Sequence, residues 1–374
     1  MTAGVIGVTG YAGSELLRIL SRHPKITRIS AASASAEGRN IEDIYPNFLS
    51  ALSIKLTNAA SVIEESDVVF SALPNGHAGA LAKQAVEKST PFIDLSADFR
   101  FGSDEETYKA WYGTPFLDAE THKKSVYGLV EVNRASIAAL GKNRETEPVV
   151  IGNPGCYPTA ISLSLFPALS RGLLSDGQII ADAASGISGG GRELLRAYHF
   201  CECADSFSPY KIGSHRHTPE ISRNIYFMEK DPPQKQRPVI FTPHLSPMNR
   251  GILATVYAPL NKNEKLSLNH KAPRPPAREI EEQTERYRRL YASFYENDPF
   301  IRVLPQGALP ATGRVRSSNY CDIAVNVSQD GETLILTSAI DNMVKGAAGQ
   351  AVQNMNVIFG FNEKDGLPDA PAFF

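Results

Sequence analysis

A thiol that is to attack a carbonyl carbon needs a place that favours its anion, and Cys156 has such a setting. It lies in the run 153–160, NPGCYPTA. Residues 148–151, just before it, form a short apolar stretch that reads as a strand. After it, Ala160, Ile161, Leu163, Leu165, Phe166 and Leu169 recur at the spacing of a helix with one buried face. Pro158 suits the first helical turn, where a missing N–H costs nothing. Cys156 is therefore expected at a strand-to-helix turn. Free N–H groups and the positive end of the helix dipole favour a thiolate there. A buried structural cysteine is the competing reading.

A nucleophilic cysteine works with a proton carrier that meets it in space rather than in sequence. The run 210–221, YKIGSHRHTPEI, offers His215, His217 and Glu220 around Arg216. Such a cluster is uncommon unless it binds or reacts. Cys201 and Cys203 with His215 and His217 give C-x-C and H-x-H spacings, which lack the usual zinc arrangement, so no metal is expected. The glycine-rich run 185–192, SGISGGGR, contains Ser188 and Gly189 and ends in Arg192. It reads as a backbone nest for a phosphate or carboxylate, or else as a flexible loop. Arg100 follows an apolar strand at 92–95 and is placed either to meet an anion or to make a surface salt bridge.

These groups need elements to hold them. A strand at 4–8 runs into Gly7, Thr9, Gly10, Tyr11, Ala12 and Gly13, and a helix follows through Leu16 to Leu20. Strand, glycine turn and helix form the context of a dinucleotide site, although the spacing is G-x-x-G-x-x-G. The second strand, 26–30, leads to Ser33, Ser35 and Arg39 with no acidic residue at its end. Small hydroxyls and an arginine suit a 2′-phosphate, so NADP is favoured over NAD despite Glu37. A third strand, 67–73, ends in Leu73 and Pro74, and His77, before a helix over 78–88, reads as a helix start or else as a catalytic residue. Downstream, strands are expected at 178–183, 239–242, 251–258, 320–327 and 333–339, with the last two paired. A helix is expected at 277–295, after an exposed loop at 261–276. A final helix at 343–359, rich in small residues, should pack tightly, back on the first domain near the cofactor.

The chain has 374 residues, 42% hydrophobic and 21% charged, which suits a soluble two-domain protein. Its 38 basic and 40 acidic residues balance to −2, giving no reason to expect a nucleic-acid or membrane partner. Four cysteines are too few for a disulfide scaffold, so the thiols read as reduced and the compartment as cytoplasmic. The N-terminus shows no signal-peptide pattern and no apolar span.

Taken together, these runs resemble the N-acetyl-γ-glutamyl-phosphate reductase family of the aspartate-semialdehyde dehydrogenase-like superfamily. The resemblance rests on 7–16 (GVTGYAGSEL), 73–78 (LPNGHA), 94–100 (DLSADFR), 127–131 (YGLVE) and 153–160. It continues through 185–192, 215–221 (HRHTPEI), 241–251 (FTPHLSPMNRG), 318–322 (SNYCD) and 341–350 (DNMVKGAAGQ). It implies an α/β fold: an N-terminal Rossmann-like NADP-binding domain and an α+β catalytic and dimerisation domain of the glyceraldehyde-phosphate dehydrogenase-like type. The expected bounds are 1–153 and 154–340, with the helix at 341–360 packing back on the first domain. The resemblance further implies NADPH reduction of a small-molecule acyl phosphate in arginine biosynthesis, by a homodimer or homotetramer. Cys156 is then the nucleophile, with His215, His217 and Glu220 beside it, and His215, His217, Arg100 and Arg192 on the substrate. The cofactor falls to Gly7, Thr9, Gly10, Tyr11, Ala12, Gly13, Ser33, Ser35, Arg39, Leu73, Pro74, Ser188, Gly189 and Asn342. Two other readings stay open: a sister reductase of a carrier-protein-linked lysine-pathway acyl phosphate, and a non-catalytic dinucleotide-binding regulator.

Overall fold

The computed structural model describes residues 1–232, 236–266 and 275–373. Much of the loop expected at 261–276 thus lies outside the described residues. The chain divides into two units. One holds residues 1–155, 190–193 and 343–369; the other holds 156–189, 194–342 and 370–374.

The first unit alternates strand and helix. Its elements are β1 (Thr2–Ile6), α1 (Tyr11–Leu20), β2 (Arg28–Ala32), α2 (Ala59–Glu65), β3 (Val68–Ser71) and α3 (Gly79–Glu87). Next come β4 (Phe92–Asp94), α4 (Glu105–Tyr112), α5 (Ala119–Lys123), β5 (Val126–Tyr127), α6 (Val130–Lys142) and β6 (Val150–Gly152). Among the described residues these strands form one parallel sheet in the order β2-β1-β3-β4-β6-β5. Residues of β3, β4 and β6 are buried throughout, as expected of inner parallel strands covered on both faces.

Two strands sit off the expected positions. β1 ends at Ile6 because Gly7 turns the chain with φ +89°. Pairing with β1 sets Thr2 opposite Arg28 and Ile6 opposite Ala32, which moves β2 two residues beyond the expected 26–30. Ile26 is spent instead on the turn that closes α1, its N–H bonding the His23 carbonyl.

The second unit opens with α7 (Cys156–Ser170), then β7 (Ile179–Ser185), α8 (Phe200–Cys203), β8 (Ser208–Pro209), α9 (Thr218–Met228) and β9 (Val239–Leu245). It continues with β10 (Ile252–Pro259), α10 (Ala277–Phe294), β11 (Ile301–Val303), β12 (Cys321–Val327) and β13 (Thr333–Ile340). Its mixed sheet has the order β11-β12-β13-β10-β7-β9-β8 among the described residues. β9 runs past the expected 242 because its parallel pairing with β7 continues through Pro243 to Leu245.

The spacing in α7 suggests one buried face, yet nearly every side chain of this helix is buried. Such a helix must satisfy each of its polar groups inside the protein. Pro167 stands in its interior and has no N–H to give the Leu163 carbonyl one turn back. The Tyr295 hydroxyl donates to that carbonyl at 2.6 Å, and the Tyr291 hydroxyl donates to Ser164 O at 2.9 Å. Asn224 Nδ2 donates to Ser162 Oγ, and Ser338 Oγ to the Ala160 carbonyl.

The final segment belongs to the first unit. It is a π-helical stretch, Val344–Ala348, followed by α11 (Gly349–Phe359), rather than one continuous helix. α11 packs on α6 and α1. Lys345, fully buried, bonds the fully buried Glu131 at 2.6 Å and Gln353 at 2.8 Å. Burial would raise the Glu131 pKa, but Lys345 and Gln353 hold it below the usual carboxylate value. Among the described residues no helix is long and apolar enough to cross a membrane.

Tyr295→Phe leaves the Leu163 carbonyl without this donor and should cost about 1–3 kcal/mol of stability. Urea unfolding followed by circular dichroism measures it. An unchanged midpoint would show that the carbonyl finds another donor.

Candidate active site

In the first unit the glycine turn is built by close approach. A Cβ on Gly7 would lie 2.6 Å from the Ala72 carbonyl oxygen, and one on Gly13 would lie 2.4 Å from Gly7 O. Gly10 differs. Its φ is −80°, and an added Cβ would meet only Gly7 O at 3.5 Å. The protein's own packing does not require glycine at that position, so its bareness leaves the turn open to a ligand. α1 begins at Tyr11, has no side-chain N-cap and carries no acidic residue in its first turn. Its N-terminal amides, including those of Ala12 and Gly13, are suited to a pyrophosphate. These residues fit a dinucleotide.

At the end of β2, Thr9 Oγ1 lies 3.0 Å from Ser33 Oγ, which lies 3.3 Å from Ser35 Oγ. The Arg39 side chain is exposed and turns to the Asp43 carbonyl at 3.4 Å. Arg192, expected on the substrate, is in the first unit. Its Nη1 donates to the Thr9 carbonyl at 3.1 Å, and its guanidinium lies 4.8 Å from the centre of the Tyr45 ring. Leu73 and Pro74 open the loop after β3. That loop is tied down by Asp98, which accepts from the N–H of Gly76 at 2.7 Å and of Ala78 at 3.0 Å. The Tyr108 hydroxyl also donates to Asp98, at 2.7 Å. His77 is exposed just before α3.

Arg100 is buried rather than set in a surface salt bridge, and two of its donors go to backbone carbonyls. It is only 7% exposed; Nε donates to the Asn153 carbonyl and Nη2 to the Leu95 carbonyl, both at 2.8 Å. It thereby fastens the loop after β4 to the end of β6, a pairing that depends on a residue 53 positions away.

In the second unit Cys156 is the first residue of α7 and is half-buried. The neighbouring Tyr157 ring meets His215 and His217 edge-on, with centroids 5.6 Å and 6.0 Å away. The Tyr210 hydroxyl donates to Tyr157 at 3.2 Å, and the Tyr157 hydroxyl donates to the His244 carbonyl at 3.3 Å. Both phenols are held well above their ordinary pKa, chiefly by burial. His217 occupies the N-cap position of α9 without a side-chain capping bond, and Glu220 in the first turn is fully buried. The two imidazoles lie 4.9 Å apart, and the His217 backbone N–H donates to His215 Nδ1 at 3.1 Å. Sequence reasoning brought Cys156, His215 and His217 into one account but missed the roles of Tyr157 and Tyr210. Tyr157 stood inside the cysteine run and Tyr210 at the head of the histidine run, which were the available signals.

Ser188, Gly189 and Asn342 also gather in the second unit. Asn342 donates to Ser188 Oγ at 3.0 Å and accepts from the Gly251 N–H at 2.7 Å. A Cβ on Gly189 would lie 3.4 Å from Asn342 Nδ2.

Two family models match the chain: the semialdehyde dehydrogenase NAD binding domain over residues 2–140 and the dimerisation domain over 156–342. The chain is 43% identical over 371 residues to N-acetyl-gamma-glutamyl-phosphate reductase of Clostridium kluyveri, with 99% of each covered. It is 42% identical over 374 residues to the enzyme of that name from Brachyspira hyodysenteriae, again with 99% of each covered. In fold it is similar to aspartate semialdehyde dehydrogenase II of Vibrio cholerae, with TM-score 0.67, 16% identity and 96% and 97% of the two chains covered. The aspartate semialdehyde dehydrogenase of Candida albicans, solved with NADP, gives TM-score 0.63, 18% identity and 96% and 98% coverage.

Burial lowers the His215 pKa from 6.5 to about 4, with help from Lys211 and Arg216. The ring is therefore neutral near pH 7, and with Nδ1 accepting, its proton sits on Nε2. Between these pH values the unfolded chain binds this proton and the native state does not. The group's contribution to stability is thus complete above about pH 6.5 and is lost as pH falls toward 4. Nitrogen-detected NMR should show His215 as the Nε2–H tautomer, protonating only near pH 4. A midpoint near 6.5 or an Nδ1–H tautomer would contradict this.

Proposed function

The chain belongs to the N-acetyl-gamma-glutamyl-phosphate reductase family of semialdehyde dehydrogenases, and from that membership we propose how its own residues carry the reduction. It is an NAD(P)-dependent oxidoreductase of amino-acid biosynthesis. The substrate is N-acetyl-γ-glutamyl phosphate, and the products are the 5-semialdehyde and inorganic phosphate. The observation that carries the mechanism is the position of Cys156 as first residue of a buried helix, with its neighbour Tyr157 against both histidines.

The Cys156 thiolate attacks the γ-acyl carbon. A C–S bond forms, the C–O bond to phosphate breaks, and phosphate leaves with the electron pair. The carbonyl is now held as a thioester. NADPH, which Gly7, Gly10, Gly13 and the N-terminal amides of α1 would hold, would supply the hydride that this carbon accepts. A proton on the oxygen gives a thiohemiacetal, which loses it again as the C–S pair returns to sulfur. His215 cannot take a proton near neutrality, because its Nδ1 is engaged and its pKa is depressed to about 4. It acts as a donor through Nε2–H, stabilising the oxygen as negative charge develops. The moving proton is assigned to His217. Glu220, buried in the first turn of α9, is a positioning residue that steadies this corner. Arg100, with two donors on backbone carbonyls, shapes the entry to the cysteine turn. The match to a dimerisation domain supports a homodimer or homotetramer, and the low cysteine content, four in 374 residues, suits the cytoplasm.

The reverse reaction tests the assignment. N-acetylglutamate semialdehyde, phosphate and NADP⁺ should yield NADPH steadily, and omitting phosphate should stop the reaction after one equivalent per site. Cys156→Ala should lower turnover at least ~10³-fold while leaving NADPH binding intact. Retained turnover would remove the cysteine from the mechanism. Preference for aspartate semialdehyde would overturn the substrate.

A further inference from the structure

We propose that Arg192 is the cation that selects NADP over NAD by binding the 2′-phosphate of the cofactor, a role the substrate carboxylate or phosphate would otherwise claim. The inference rests on the reading of NADP as the cofactor. Its warrant is where the structure fixes this side chain. Arg192 follows three glycines, Gly189, Gly190 and Gly191, and residues 190–193 belong to the first unit. Nη1 donates to the Thr9 carbonyl at 3.1 Å and to the Tyr45 hydroxyl at 3.3 Å. The Tyr45 ring lies under the guanidinium at 4.8 Å, and the Tyr45 hydroxyl itself donates to Thr9 O at 2.8 Å. These contacts hold the exposed side chain beside Thr9 and Tyr45.

That place adjoins a row of hydroxyls. Thr9 Oγ1, Ser33 Oγ and Ser35 Oγ stand 3.0 Å and 3.3 Å apart, running from the glycine turn to the end of β2. A parallel-sheet dinucleotide fold puts the 2′ position of the adenosine ribose at the end of its second strand. A carboxylate there would hold a 2′-hydroxyl and repel a 2′-phosphate; this chain has Ser33 instead. Hydroxyls rotate to donate to phosphate oxygens, but three neutral donors leave a dianion without a counter-charge. Arg192 supplies it. Its Nη2 and Nε have no hydrogen-bond partner among the described residues, so a full edge of the guanidinium remains to meet the phosphate. Arg39, the arginine nearer in sequence, is exposed too but among the described residues has only one long contact, Nη2 to the Asp43 carbonyl at 3.4 Å, and no ring beneath it, so it is the less fixed of the two.

Isothermal titration calorimetry on the full-length protein separates the alternatives. NADPH and NADH are titrated into wild type, Arg192→Met, Arg192→Lys and Arg39→Met. Wild type should prefer NADPH. Arg192→Met should weaken NADPH about 10- to 100-fold and leave NADH within about twofold, as loss of a charge-assisted contact to one phosphate requires. Arg192→Lys should recover part of the loss. Equal weakening of both cofactors would place Arg192 on the pyrophosphate and overturn the proposal. So would a preference that survives in Arg192→Met and disappears in Arg39→Met. Wild type binding both cofactors equally would instead remove the NADP reading itself, and this assignment with it.

Discussion

A helix buried on every side cannot leave a polar group to water, and that constraint governs the architecture around Cys156. α7 is apolar almost throughout, and its interior Pro167 takes away one backbone N–H. The rest of the second unit answers the deficit. Tyr291 and Tyr295, from the end of α10 and just past it, reach the carbonyls of Ser164 and Leu163. Asn224 on α9 pairs with Ser162, and Ser338 on β13 with Ala160. Each contact ties another element to α7, so the helix axis, and with it the position of its first residue, is fixed from several directions. α9 lies against α7 and carries His217 at its start, so the anchoring of α7 also places the imidazole pair.

The proposed division of work between the histidines rests on the same packing. Burial beside Tyr157, Tyr210 and Phe241 keeps His215 neutral. The chain turn between the histidines then brings the His217 N–H onto Nδ1. One ring is left as a fixed donor. A donor that never ionises near neutrality is useful where an oxygen becomes negative, because it need not reorganise as the charge appears. In the proposed mechanism the proton that moves is therefore given to the other ring.

Features set by local chemistry were legible in the sequence. The glycine turn could be read because Gly7 needs a positive φ and Gly13 a bare Cα, whatever surrounds them. The cysteine turn was legible because Pro-Gly before it and Pro158 after it are punctuation for strand end and helix start. Features set by distant partners were not. The register of β2 depends on β1, and nothing in 26–32 itself distinguishes the two frames. The bond from Arg100 to the Asn153 carbonyl, 53 residues on, has no local signal either. Arg192 sits on Thr9, 183 residues away, and no spacing rule could have paired them. Pro167 would count against a helix on propensity alone; the tyrosine hydroxyls that compensate for it arrive from more than 120 residues later. The resemblance to a family named the reaction, but the contacts that place each side chain came from the fold.

The central claim is that the acyl group rides on Cys156. Mass spectrometry of the intact protein, after incubation with N-acetylglutamate semialdehyde and NADP⁺ in the absence of phosphate, tests it directly. The account predicts one added N-acetylglutamyl group per chain, located by peptide mapping on the peptide that carries Cys156 and discharged when phosphate is added. An adduct on Cys201, Cys203 or Cys321, or NADPH formation with no adduct at all, would contradict it.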